Sequence, residues 1–261
     1  MQALRTAASG MAAQQLNVEV ISNNIANMTT TGFKRQRAEF QDLVYINRQR
    51  PGSQSSDDGT ILPSGIQLGV GVKTGAVYRN QEQGALQPTE GTYDLAVSGK
   101  GMFQIALPNG DTAYTRSGAF QLNGDGQICT VQGYLVQPNI TVPPDAIAVQ
   151  INNSGEVLYK QTGAAAYSNA GQLQLATFPN EGGLEAVGNT MFLETEASGA
   201  PITGNATTDE FGEIQQGFLE SSNVNVVDEI TKLITAQRSY DMNSKTIQVS
   251  DEMLGTVTQL R

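Results

Sequence analysis

"ISNNIANMTTTGFKRQRAEF", residues Ile21 to Phe40, ends one pattern and begins another. Upstream, from residue 4 to residue 28, apolar side chains recur every seven positions. Leu4, Met11, Val18 and Ile25 form one row, and Ala7, Gln14, Ile21 and Met28 form a row three residues further on. This spacing lays a narrow stripe along a helix, suited to burial against a partner helix. Ala3, Ala8, Gly10, Ala12 and Ala13 lie between the rows. Asn23, Asn24 and Asn27 then crowd the end of the pattern, three threonines follow, and Gly32-Phe33-Lys34 restarts the chain.

The other end mirrors this arrangement. In "LESSNVNVVDEITKLITAQRSYDMNSK", Leu219 to Lys245, a polar Asn/Ser stretch launches a second periodic segment. One row reads Val226, Leu233, Tyr240, Ile247 and Leu254; the other reads Ile230, Gln237, Ser244, Asp251 and Thr258 and is mostly polar. Such a thin stripe allows two readings: surface helices packed on the middle of the chain, or helices completed by other copies. The second is favoured, because a lone helix pair buries too little apolar surface to offset the entropy of ordering so many residues. Both ends are expected to be weakly ordered in the free chain and to fold against neighbouring subunits. The expected subunit seam is Leu4, Met11, Val18, Ile21 and Ile25 with Val226, Ile230, Leu233, Tyr240, Ile247 and Leu254.

Between the ends, "NRQRPGSQSSDDGTILPSG" (47–65) has the composition of a linker, with Pro51, Gly52, Pro63 and Gly65 and no periodicity. It is longer than an ordinary loop, which points to a functional insertion or an extended arm. From residue 67 to residue 219 the pattern changes to alternation broken by Asn/Gly turns. "IALPNGDTAYTR" carries Asn109-Gly110, a strong hairpin signal, and "AFQLNGDGQICT" and "AVQINNSGEVLYK" repeat the design. Phe103, Tyr114, Phe120, Tyr134, Phe178 and Phe192 are the expected aromatic core.

The predicted architecture is mixed α and β. Residues 1–45 and 220–261 form a discontinuous, coiled-coil-like helical domain, 46–66 an extended polar arm, and 67–219 an antiparallel all-β domain.

Composition removes most chemistry. There is no histidine and one cysteine, Cys129, so Ser-His-Asp and Cys-His catalysis and a Cys/His zinc site are excluded, as is an intrachain disulfide. "QLNGDGQICTVQ" has a calcium-loop flavour, but Gln121 and Gln132 stand where the first and twelfth ligands should be carboxylates. "GVGVKTG" and "SGKGMF" lack phosphate-loop spacing. Asp228 and Glu229 read as first-turn charges of a helix. No catalytic, cofactor or metal site and no small-molecule substrate is expected. The net charge of −10 disfavours nucleic acid, although the first fifty residues hold Arg5, Lys34, Arg35, Arg37, Arg48 and Arg50 against Glu19, Glu39 and Asp42. No apolar run reaches the ~20 residues of a bilayer span, and Arg5, Ser9, Gln14 and Gln15 break up any signal-peptide core.

"SNNIANMTTTGFKRQRAEFQDLVY" and "LESSNVNVVDEITKLITAQRSYDMNSKTI" resemble the terminal signatures of the bacterial flagellar rod and hook family. The matching motif residues are Asn23, Asn24, Asn27, Gly32, Phe33, Asn223, Asn225, Gln237, Arg238 and Tyr240. "DLAVSGKGMFQI", "YTRSGAF" and "GDGQICTVQGYLVQP" are similar to the family's β domain. The linker with "LPSGIQLGVGV" is similar to the insertion that marks its distal rod subunits. Met28-Thr29 and Met102 depart from the Val-Asn and Phe of the pattern.

The resemblance implies a structural, non-enzymatic subunit of a hollow helical shaft that crosses the periplasm within the basal body, transmits torque and conducts exported subunits. Its implied partners are copies of itself, proximal rod subunits, hook or hook-side subunits, the surrounding P and L ring proteins, and the flagellar type III export machinery, which would deliver it without cleavage of a signal. The implied role of Asn24, Asn27, Asn223 and Asn225 is to cap helix ends and bond neighbouring backbone, marking where the helices stop. A proximal rod or hook subunit is the neighbouring alternative, opposed by the linker and by the short β region. A secreted carbohydrate- or peptidoglycan-acting β protein is the distant one, and it lacks a recognisable carboxylate pair.

Overall fold

A computed structural model describes residues 2–49, 64–163, 166–208 and 210–259. The chain divides into two compact units. The first combines residues 1–25, 36–78 and 225–261; the second combines 26–35 with 79–224. Pro51, Gly52 and Pro63 of the arm lie outside the described residues, whereas Gly65 lies inside them.

The first unit holds helix α1 (Gln2–Ala26) and helix α2 (Val226–Gln259). Its strands are β1 (Gln36–Asp42), β2 (Tyr45–Gln49), β3 (Ile66–Gly69) and β4 (Val72–Arg79). β1 pairs with β4, and β2 pairs antiparallel with β3. Residues 47–49, where the linker composition begins, therefore lie in a strand, with Asn47 opposite Gln67. Ser9 of α1 ties this ribbon down: its Oγ accepts the Val72 N–H at 3.3 Å, and a Cβ on Gly71 would collide with it.

The second unit is antiparallel β. Its strands are β5 (Leu86–Pro88), β6 (Leu95–Ser98), β7 (Met102–Ala106), β8 (Thr112–Thr115), β9 (Phe120–Leu122), β10 (Ile128–Thr130), β11 (Leu135–Gln137), β12 (Ala146–Ile151), β13 (Glu156–Gln161), β14 (Ser168–Gln172), β15 (Gln174–Thr177), β16 (Glu185–Gly188), β17 (Met191–Leu193), β18 (Ile202–Asn205), β19 (Glu213–Gln216) and β20 (Phe218–Glu220). The main sheet runs β16-β17-β8-β7-β11-β10-β9, with β15 pairing both β7 and β18, and β12-β13-β14 form a second sheet. β5 and β6 are completed from far along the chain, by β20 and β19.

Three hairpins share one turn chemistry. β7 and β8 turn at Gly110 (φ +93°), β9 and β10 at Gly126 (φ +76°), and β12 and β13 at Gly155 (φ +84°). Each needs a left-handed residue, which glycine supplies without steric cost. In the last two an asparagine side chain closes the loop: Asn123 Oδ1 accepts the Gln127 N–H at 2.8 Å and Asn152 Oδ1 accepts the Glu156 N–H at 2.9 Å.

β7 is covered on both faces. Phe103 and Ile105 enter the main core with Leu95, Val97, Phe120, Val136, Leu173, Leu175 and Ile214. Met102, on the opposite face, joins a smaller cluster with Tyr114, Ala176, Phe178, Leu184 and Phe192. Edge-to-face pairs fix each cluster, Phe103–Phe120 at 5.1 Å and Tyr114–Phe178 at 4.7 Å between ring centroids. Tyr134 is half-buried at the rim of the main core.

Candidate functional site: the two chain ends

In the first unit α1 and α2 come together at Gly10 with Asn243 and at Asn24 with Glu229. A Cβ on Gly10 would come within 2.9 Å of Asn243 Nδ2, and Asn24 Nδ2 donates to Glu229 Oε2 at 3.0 Å. Asn24 follows Gly10 by the same fourteen residues by which Glu229 precedes Asn243, so the helices are antiparallel where they meet.

Asn24 is fully buried and does three things at once. Besides bonding Glu229, its Oδ1 accepts the Gln36 N–H and its Nδ2 donates to the Gln36 carbonyl, both at 2.8 Å. A carboxamide thus substitutes for a strand neighbour and holds the chain where β1 starts. Lys232 Nζ supplies Glu229 with a charge-assisted partner at 2.6 Å. Asn225 caps α2: its Oδ1 accepts the Val227 N–H at 3.1 Å and its carbonyl accepts the Glu229 N–H at 3.0 Å. Asn27 accepts the Thr30 hydroxyl at 3.2 Å, and Asn23 is exposed.

The seam residues divide by burial. Ile21 is buried; Leu4, Met11, Val18, Ile25, Val226, Leu233, Ile247 and Leu254 are half-buried; Ile230 and Tyr240 are exposed, as are Gln237 and Arg238. Among the described residues of α2, Glu229, Ala236 and Ser250 are the most buried, with Asn243 of the same seven-residue row half-buried. That row lies one residue before the second row read from the sequence. An apolar-periodicity search passes over Glu, Ala, Asn and Ser; only their spacing could have found them.

In the second unit a charged cluster lies in the interior. Lys34 Nζ meets Glu220 Oε1 at 2.7 Å, and the two side chains are 1% and 0% exposed. The ammonium also donates to the Glu82 carbonyl at 2.8 Å, while Glu220 Oε1 accepts the Gly84 N–H at 2.9 Å. Arg116 Nη1 stands 3.6 Å from Glu220 Oε2, and the guanidinium donates to the Val97 and Gly99 carbonyls. Burial pushes the Lys34 amine below its usual range, and the Glu220 carboxylate opposes that. Burial likewise lowers Arg116, again opposed by Glu220.

Asn223 and Gly32 close the same region. Asn223 Oδ1 accepts the Arg35 N–H at 2.7 Å, and its Nδ2 donates to the Asn80 and Glu82 carbonyls, each at 2.9 Å. Gly32 has φ +68°, its N–H donates to the Glu220 carbonyl at 2.8 Å, and a Cβ there would sit 2.6 Å from the Ser117 nitrogen. Phe33 beside it is half-buried. Gly32→Val is therefore expected to destabilise the second unit by about 2 kcal/mol or more, combining left-handed strain with backbone overlap. Urea unfolding followed by β-sheet circular dichroism measures it, and an unchanged midpoint would refute the assignment.

These arrangements sit where comparison with known proteins finds its matches. Residues 4–34 match the family described as flagella basal body rod protein, 96–159 the D1 domain of the flagellar hook protein FlgE/F/G, and 215–260 the C-terminal part of the flagellar basal body rod FlgEFG protein. The flagellar basal-body rod protein FlgG of Caulobacter vibrioides is 59% identical over 261 residues, covering 100% of both chains. The chain belongs to the flagellar rod and hook family. Likeness persists at distance. The FlgG rod proteins of Agrobacterium fabrum and Bacillus subtilis are 48% and 36% identical, the first covering 99% of both chains and the second 100% of this chain and 99% of its own. The family's two terminal matches contain the fastening residues: Asn24, Gly32 and Lys34 in one, Glu220, Asn223, Asn225 and Glu229 in the other.

Proposed function

We propose that this chain is a structural subunit of the flagellar distal rod, self-assembling through its terminal helices into a hollow helical shaft that transmits torque and conducts exported subunits. The full-length match to basal-body rod proteins carries this reading. The exposed apolar side chains of α2, which a helix on a finished surface would not present, support it.

In this reading Leu4, Met11, Val18, Ile21 and Ile25 pack with Val226, Ile230, Leu233, Tyr240, Ile247 and Leu254 across subunits in a coiled-coil-like inner layer. The helical domain is 1–45 with 220–261 and the β domain is 67–219. Residues 46–66 act as an arm that touches neighbouring subunits and stiffens the shaft. Proximal rod subunits, hook or hook-side subunits, the P and L rings and the type III export machinery are its partners. The rod crosses the periplasm, and the chain reaches it without a cleaved signal.

Electron microscopy of the concentrated full-length protein tests this. Tubes or filaments are expected, and they should disappear when residues 1–28 are removed. Persistence of monomers at every concentration and salt condition would count against the reading.

A further inference from the structure

Charge is divided unevenly between the two units. The first holds ten Asp and Glu against nine Lys and Arg, the second fifteen against six. Exposure sharpens the contrast. Among the described residues the first unit presents seven exposed carboxylates and seven exposed cations, whereas the second presents ten exposed carboxylates and one exposed cation, Lys100.

The other cations of the second unit are turned inward. Lys34 and Arg116 are buried beside Glu220. Arg79 lies over the Phe192 ring at 5.4 Å and Lys160 over the Tyr167 ring at 6.0 Å, and both are half-buried, as is Arg35. The carboxylates are left facing outward. At the β16 end of the main sheet, where Glu185 pairs with Leu193, Glu185, Glu194 and Glu196 are all exposed. The surface of this unit is therefore almost uniformly negative.

Two such bodies repel with the product of their charges. The reach of that repulsion is about 30 Å at 0.01 M salt and about 10 Å at 0.1 M, against a radius of gyration of about 15 Å for a folded unit of this size. The chain crosses between the units at residues 25/26, 35/36, 78/79 and 224/225, so copies that associate carry their second units with them. Resting on the rod reading above, we infer that the carboxylate surface of the second unit restrains self-association, holding copies apart at low ionic strength and releasing them as salt screens it. The balanced first unit adds no comparable repulsion. The restraint is thus separable from whichever contacts α1 and α2 make.

Pelleting of the full-length protein in sodium chloride tests this. The concentration left in the supernatant should fall at least tenfold between about 0.01 M and 0.3 M salt, where screening shortens the reach of the charges. Joint replacement Glu185→Gln, Glu194→Gln and Glu196→Gln should lower the low-salt supernatant at least threefold and flatten the salt dependence. Circular dichroism should not change, because all three side chains are exposed. The matching Glu→Asp replacements keep the charge and should behave as the parent does. A parent that polymerises equally well at both salt concentrations, or better at the lower one, overturns the restraint while the rod reading stands. Identical behaviour of the Gln and Asp variants does the same, since charge would then not be the cause. If the parent polymerises under no condition, both fall.

Discussion

Replacing Glu220 by glutamine is expected to remove about 3–5 kcal/mol of stability from the second unit, more than any surface substitution in the chain. The exchange conserves shape and leaves the Gly84 N–H an acceptor, so the loss reports charge. Lys34 and Arg116 would remain in the interior with no carboxylate beside them, and the influence that opposes the lowering of both their pKa values would be gone. Lys34→Met should cost less, because Arg116 already stands 3.6 Å from Glu220 and has a side chain able to close on it. The order of the two urea midpoints, with Glu220→Gln below Lys34→Met, is the diagnostic result. A Glu220→Gln midpoint within about 0.5 kcal/mol of the parent would mean that the cluster holds nothing together.

Hydrogen exchange should separate the two units still more widely. In a dilute monomer the amides of α2 are expected to exchange within about a hundredfold of unprotected peptide. The strands carrying Phe103, Ile105 and Leu175 should be protected at least ten-thousandfold. The reason lies in what α2 buries: among its described residues Glu229, Ala236 and Ser250 are the most buried, whereas Val227, Ile230, Ile234, Met242, Val249 and Met253 are exposed. A 34-residue helix with so little packing depends on intrinsic propensity, and its threonines and Gly255 lower that. In polymer the same amides should gain at least a thousandfold. Strong protection of α2 in a strictly monomeric sample would contradict the view that neighbouring copies order it.

Much of this architecture can be read from residue order alone, and the exceptions have a common cause. Alternation and Asn/Gly turns place the hairpins correctly, because a left-handed turn residue is a local requirement that Gly110, Gly126 and Gly155 announce. Heptads locate both helices for the same reason. Fastenings made by polar side chains across long separations are not announced. Lys34 and Glu220 are separated by 186 residues, and each alone looks like an ordinary surface charge. Asn24 and Asn223 stand out by crowding, yet what they grip, the Gln36 backbone in one case and the Arg35, Asn80 and Glu82 backbones in the other, depends on folding. The face of α2 met by α1 escaped detection because its row is Glu, Ala, Asn and Ser.

The pairing of β5 with β20 and of β6 with β19 also dictates a timetable. A nascent chain still short of residue 213 on the ribosome has made both early strands but neither of their mates, and its Lys34 still lacks a counter-ion. The last stretch to be synthesised before α2 therefore acts as the keystone for β5 and β6, which must wait for it while the two larger sheets can already pair.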